Sequence, residues 1–381
     1  MTFHITLLSV EVNTLITFVT GISGSGRLEY LMRVKELAGG RLTIKDIGNL
    51  MFKKSRHLGI EIPDGKILDL DHFALNYLRA ITFEELLSEV GEYRGYEEDD
   101  PDLIVSTHTC FRWKKHLLPG FNFYYLNSLN PDIYVTIIDN VHHVKARLES
   151  RPHWRGRLTL KDILIWRDEE IFVTKMLAEY QNKPFYIISS KEDPEVLYNI
   201  IYNVEKKKKR GEKSALKAYL SYPITYVRAS EDRFKMKEEF KRKLKEAGVV
   251  IFDPMSIEEV DLVDMVEEAK KRGEEYVEVK YDGHAVKIPI SEVEEAKDDI
   301  LDQTVVRDYS LIDQADVVIV YYYATVMSPG VLSELNYGFT HNKEVYAVFP
   351  YEISPFFQYY TTKIFKDPEE LLKFLKERSS G

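Results

Sequence analysis

Twice along this chain, short apolar runs rich in β-branched residues alternate with stretches of helical spacing, and a charged seam separates the two series. Such alternation builds a mostly parallel sheet with helices on both faces, because parallel neighbours need a crossover and the crossover helix covers the sheet. Before the seam, residues 15–20, 103–107, 134–138 and 185–189 read as strands, while 28–37, 44–57, 73–90 and 160–180 carry helical spacing. After it come a strand at 218–221, a helix at 231–246 and a strand at 249–252. A strand at 317–322, a helix at 331–341, a strand at 345–349 and a last helix opened by Asp367-Pro368 complete the second series. The seam is Glu205-Lys206-Lys207-Lys208-Lys209-Arg210-Gly211-Glu212-Lys213, with no apolar residue to bury, and a solvated linker is favoured there over a nucleic-acid patch. We therefore expect an α/β protein of two domains, 1–204 and 217–381, joined by a charged linker at 205–216. A charged insertion at about 261–299 contains a hairpin signal, Tyr281-Asp282-Gly283.

Composition narrows the function classes. A length of 381 residues exceeds one ordinary core, and a net charge of −10 argues against a general nucleic-acid or membrane-surface binder. Cys110 is the single cysteine, so no intrachain disulfide can form and a reducing compartment is expected. No run reaches the roughly 18 apolar residues of a membrane span, and residues 1–12 lack the pattern of a secretory leader. The expectation is a cytoplasmic homo-oligomer that acts on small molecules, without nucleic-acid or membrane partners.

In the first domain Phe18-Val19-Thr20 runs into Gly21-Ile22-Ser23-Gly24-Ser25-Gly26-Arg27-Leu28, and a helix follows. Strand, glycine-rich turn and helix start is the context of a phosphate-binding loop, in which backbone N–H groups and the helix dipole meet an anion. Gly21, Gly24, Ser25, Gly26 and Arg27 are the candidate nucleotide-binding residues. With Asp102-Leu103-Ile104-Val105-Ser106-Thr107-His108, Leu118-Pro119-Gly120, Asn130-Pro131-Asp132 and the series Arg147, Arg151, Arg155, Arg157, this domain resembles the adenylate-kinase-like nucleotide kinases. The resemblance implies a P-loop kinase-like fold, bound ATP or another nucleotide, and lid arginines on its phosphates. Arg27 stands at the loop lysine's position, Leu28 at the Mg²⁺-binding hydroxyl's, and Ser106 where a strand-end acid is expected. Each replacement removes a group that phosphoryl transfer uses, so binding without transfer is favoured over an active kinase.

In the second domain two blocks stand out. One is Ala218-Tyr219-Leu220-Ser221-Tyr222-Pro223, a strand ending in a loop. The other runs from Arg307-Asp308-Tyr309-Ser310-Leu311-Ile312-Asp313-Gln314-Ala315-Asp316 through the strand to Ser328-Pro329-Gly330-Val331-Leu332-Ser333-Glu334-Leu335-Asn336-Tyr337-Gly338. Glu334 lies early in a helix, where the dipole favours a carboxylate, and a carboxylate can attack a sugar carbon. Asp308 falls near the end of the preceding helix, beside the same crevice, and two carboxylates in one cleft can divide nucleophile and acid/base roles. Standing alone, Glu334 reads as a stabilising helix-start acid.

The two blocks together resemble the nucleoside 2-deoxyribosyltransferase family, including its branch that hydrolyses 5′-nucleotides. The resemblance implies a flavodoxin-like or Rossmann-like fold in which Glu334 attacks C1′, Asp308 helps protonate the departing base, and Tyr219 positions the nucleophile. It implies cleavage or transfer at the N-glycosidic bond of (deoxy)nucleosides or 5′-nucleotides, with no cofactor or metal required for that step. Ser328, in a loop where the transferase branch carries an acid, implies contact with a 5′-phosphate, and Gly330 and Ser221 join it as substrate-binding candidates. Tyr222-Pro223-Ile224 departs from that branch's glycine-rich phosphate turn. The rival class is a non-catalytic nucleotide-binding or sensing protein. Of the remaining features, His142-His143 reads as a surface pair, and Asp313 and Asp316 as helix-end acids. The run 356–360 reads as a pocket wall or a subunit interface, with core or interface favoured over base stacking, and Tyr321-Tyr322-Tyr323 as lining for a base pocket.

Overall fold

The computed structural model describes residues 14–63, 65–93, 100–113, 116–325 and 328–380, so residues 1–12, read above for a leader, lie outside the described residues. In chain order the strands are β1 (Ile16–Thr20), β2 (Leu42–Asp46), β3 (Asp102–Ser106), β4 (Cys110–Trp113), β5 (His116–Pro119), β6 (Ile133–Ile138) and β7 (Phe185–Ser189). They continue as β8 (Lys217–Ser221), β9 (Val250–Phe252), β10 (Tyr276–Tyr281), β11 (His284–Pro289), β12 (Val317–Tyr321), β13 (Glu344–Val348) and β14 (Lys363–Phe365). Two five-stranded sheets result, ordered β2-β3-β1-β6-β7 and β14-β13-β12-β8-β9, and every pairing in both is parallel. β4–β5 and β10–β11 are antiparallel hairpins. The α/β class expected from the alternation is the one observed.

Within its own unit the second sheet has the flavodoxin-type order 2-1-3-4-5, with a topological switch point between β8 and β12. Ligand crevices open at the carboxyl ends of strands at such points. Strand β1 is wholly buried and feeds the glycine loop, so the first sheet also delivers its loop to the carboxyl edge.

The sequence reading departs from the structure at residues 44–57. That stretch was expected to be helical throughout, but Leu42–Asp46 is a strand and the helix is Ile47–His57. Asp46 divides them, because its carboxylate accepts the Asn49 N–H at 3.0 Å and so caps the helix. The basic run of the seam is partly helical, with Lys206–Lys209 continuing the preceding helix. Lys206 pairs with the buried Asp102 at 2.8 Å and Lys209 with Asp132 at 3.1 Å.

The two sheets share a hydrophobic core. Tyr186, Ile188, Val196 and Ile200 from the first series pack in one cluster with Tyr219, Val250, Phe252 and Ile312 from the second. Gln314, ending the helix Ile290–Gln314, donates to the Ile187 carbonyl at 3.0 Å and accepts its N–H at 2.8 Å, covering the open edge of β7. Arg167 and Glu259 form a buried two-pronged pair at 2.6 and 3.0 Å, and Glu259 also accepts the Val141 N–H at 2.6 Å. His142 and His143 are buried rather than on the surface; His143 reaches Asp139 at 3.2 Å and stacks on Tyr281 with ring centroids 3.7 Å apart. The partner that buries His143 comes from a hairpin more than a hundred residues away, beyond the reach of local pattern. Among the described residues no helix is long and apolar enough to cross a membrane.

Candidate functional site

Ser328 opens the helix Pro329–Thr340, its hydroxyl accepting the Val331 N–H at 3.5 Å while its own N–H donates to the Tyr322 hydroxyl at 2.7 Å. Val331, Leu335 and Gly338 form the buried face, and Glu334 sits beside it in the second turn. Gly338 has a packing reason to be glycine, since a Cβ there would lie 2.7 Å from Val318 Cγ2 on β12. That close approach seats the helix against β12, alongside the carboxyl end of β8.

Tyr219 and Ser221 lie two apart on β8 and therefore project from the same face of the sheet. Ser221 Oγ donates to Glu334 Oε2 at 2.5 Å. Burial, then the charge of Asp308, pushes the Glu334 carboxyl up to about 8, against the hydrogen bonds from Ser221 and Tyr219. Asp308 is itself raised by burial, against the pull of Arg307, whose Nη2 and Nε donate to Asp308 Oδ1 at 3.1 and 3.2 Å. The Tyr219 hydroxyl is buried against Glu334, and burial, then the charges of Glu334 and Asp308 and a hydrogen bond to Glu334, hold its pKa well above the ordinary range. Glu334, Asp308, Tyr219 and Ser221 thus converge at the switch point. Gly330 faces solvent, and a Cβ there would meet only Ser328 Oγ at 4.0 Å. Ser221, a residue the sequence placed only among the substrate contacts, joins Tyr219 as a direct partner of Glu334. Arg307 was quoted in the sequence without a role; the signal that could have found it is its position next to the acid.

Other acids of the block have structural partners. Asp313 accepts from the Tyr337 hydroxyl at 3.1 Å, and Asp316 accepts the Lys217 N–H at 2.9 Å. On the neighbouring side of the helix Pro329–Thr340 lies an aromatic cleft of about 990 Å³, lined by Tyr322, Leu332, Phe349, Tyr351, Phe356 and Tyr360 among others. Tyr322 and part of the 356–360 run therefore do line a cavity, whereas Tyr321 stacks on Phe240 with ring centroids 4.6 Å apart.

The glycine loop has its own geometry. Gly21 (φ +153°) leaves room for the Ile137 carbonyl, which a Cβ would meet at 2.5 Å. The Gly21 N–H donates to the buried Glu170 carboxylate at 3.1 Å, and the Gly21 carbonyl accepts from Arg27 Nη1 at 2.5 Å. Arg27 Nε also donates to Ser106 at 3.0 Å, so this guanidinium ties the loop to β3. Of the four lid candidates Arg147 reaches the loop, donating to the Gly24 carbonyl at 2.6 Å and to Asp139 at 2.8 Å. Arg155 bonds the Glu149 carbonyl at 3.1 Å, and Arg157 lies over the Trp113 ring at 5.4 Å. The helix start at Gly26 has no side-chain cap, and the hydroxyls of Ser25 and Ser190 are buried beside the loop without partners. An uncapped helix start with two unpaired hydroxyls can accept an anion.

No protein-family model matches the chain, and no curated protein does. Solved structures match about half of it. A sugar kinase from a Janibacter species is 15% identical over 49% of this chain and 92% of its own, with a TM-score of 0.27. Shikimate kinase from Acinetobacter baumannii in complex with shikimate is 15% identical over 50% of this chain and 93% of its own, with a TM-score of 0.31. An uncharacterized protein from Eubacterium ventriosum is 17% identical over 50% of this chain and 96% of its own, with a TM-score of 0.25. Likeness at this level carries no residue role to this chain.

Proposed function

We propose that the second unit cleaves or transfers at the N-glycosidic bond of (deoxy)nucleosides or 5′-nucleotides, with Glu334 as nucleophile and Asp308 as acid. The observation that carries this reading is the pairing of two part-buried carboxyls at the β8–β12 switch point, one held by Ser221 and the other by Arg307. Burial raises both carboxyls, and the Asp308 charge raises Glu334 further, which supports a proton shared by the pair, as a two-carboxylate glycosyl transfer uses. In the reacting form the proton sits on Asp308 and the charge on Glu334. A Glu334 oxygen then bonds C1′, the bond from C1′ to the base breaks with its electron pair on the base, and the base takes the proton from Asp308. Water or a second base, deprotonated by the Asp308 carboxylate, releases the sugar from Glu334. A screen for free base across nucleosides and 5′-nucleotides tests this, and no release from any of them would refute it.

The first unit binds a nucleotide or other phosphate at Gly24–Arg27 without transferring it. The uncapped helix start and the unpaired Ser25 and Ser190 hydroxyls support binding. Arg27, Leu28 and Ser106 in place of the transfer groups argue against catalysis. Robust Mg²⁺-dependent transfer from ATP would overturn this half of the reading.

A further inference from the structure

We propose that Arg307 is a further catalytic residue: its unpaired Nη1 donates to the departing base and takes up part of the charge that the broken bond leaves there. The inference rests on the glycosidic reading of the Glu334–Asp308 site. The Arg307 side chain is 9% exposed and Asp308 beside it 14%. Nε and Nη2 converge on one oxygen, Asp308 Oδ1, which fixes the plane of the guanidinium. That leaves Nη1 buried with no hydrogen-bond partner. The Tyr219 hydroxyl, engaged with Glu334, lies within the electrostatic reach of Arg307 and Asp308, so the guanidinium borders the carboxyl pair.

Successive residues on a helix do not face one another, so Arg307 must fold back along its own backbone to reach Asp308. A guanidinium placed only for structure would have all its N–H groups satisfied, because a dry unpaired donor is costly. Here the anchored fork spends two nitrogens on the acid and leaves the third without a protein partner. The group that Asp308 protonates is the base, so an acceptor on that base is the partner the geometry supplies. In the transition state the electron pair of the broken bond moves onto the base, so a donor fixed there binds the transition state more tightly than the ground state. As the proton leaves, Asp308 becomes a carboxylate and the Arg307 charge faces it. Glu334 and Asp253 lie near that carboxylate, and Glu259 lies within the electrostatic reach of Arg307 itself. No oxidant, reductant or further reactant enters the step.

The test is the dependence of kcat/KM on the basicity of the leaving base, in wild type and in Arg307→Lys. Lysine keeps a positive charge beside Asp308 but cannot hold the acid with two nitrogens and present a third. For good leaving bases the loss should be within about threefold; for poor ones it should reach about a hundredfold to a thousandfold, as for a removed oxyanion donor. The pH limits of activity should stay near those of wild type. A role confined to packing would lower all substrates equally, and equal loss, or none, overturns the proposal. Should Arg307→Lys unfold, Arg307→Gln, judged folded by its thermal transition, carries the same comparison. Absence of base release in the wild type would instead remove the glycosidic reading itself, so the two failures are distinguishable.

Discussion

Ser221 Oγ lies 2.5 Å from Glu334 Oε2, joining the end of β8 to the helix that follows β12. A hydroxyl donating to a carboxyl favours its ionised form, here against burial and the nearby Asp308 charge. Ser221→Ala should therefore shrink the population in which Glu334 is a nucleophile. Hydrogen bonds to charged groups contribute about 1.5–3 kcal/mol, so kcat/KM should fall roughly tenfold to a hundredfold with the fold retained. Kinetics at neutral pH, beside a thermal melt, check this; an unchanged rate would show that the contact is incidental.

The raised Glu334 carboxyl has consequences for pH. Between the two titrations of the pair one proton remains, and above about pH 8 it is lost and no acid is left. Base release should fall on the alkaline side with a limb near 8. Stability shifts in the same window: the folded state holds the Glu334 proton to about 8, against 4.5 for the ordinary group. Its contribution is present below about pH 4.5 and lost as pH rises through 8. Glu334→Gln, which cannot ionise, should gain Tm over wild type more at about pH 8.5 than at about pH 5. Equal differences at the two pH values would contradict the raised pKa.

Much of this was legible in the sequence because it is local. Leu160–Tyr180 and Glu231–Glu246 announce themselves by periodicity, and Asp282-Gly283 fixes the β10–β11 hairpin, where both residues adopt positive φ. Gly338 and Glu334 were readable as a spaced pair, although the 2.7 Å approach to Val318 that makes glycine necessary was not. What escaped depends on contacts distant in sequence. Nothing near Ser221 names Glu334, which lies 113 positions away. Leu42–Asp46 is a five-residue strand fused to a helix by a capping aspartate, and helical spacing absorbed it.

The pair Arg167–Glu259 joins the two series of elements in a dry interface, with Gln303 accepting from Arg167 Nη2 at 2.6 Å. Removing one partner leaves a buried charge uncompensated, which typically costs about 3–5 kcal/mol. Glu259→Gln should lower unfolding stability by that order, and chemical denaturation measures it. A change below about 0.5 kcal/mol would mean that water reaches the pair.

Ser328 caps its helix through an accepted hydrogen bond, so its O–H remains able to donate to a phosphate. A 5′-monophosphate should be preferred over the free nucleoside, and Ser328→Asp should reverse that preference because aspartate caps equally well but repels the anion. The ratio of kcat/KM for a deoxynucleotide and its nucleoside, in both proteins, decides it. Wild-type preference for the nucleoside would favour the transferase branch instead.

The central claim is that the sugar is carried on Glu334. Acid quenching during turnover, digestion and mass analysis of the peptide bearing residues 328–341 tests it directly. The account predicts a peptide heavier by one sugar, modified at Glu334, and its disappearance along with base release in Glu334→Gln. Base release at the wild-type rate in Glu334→Gln, with the peptide unmodified in both proteins, would contradict it.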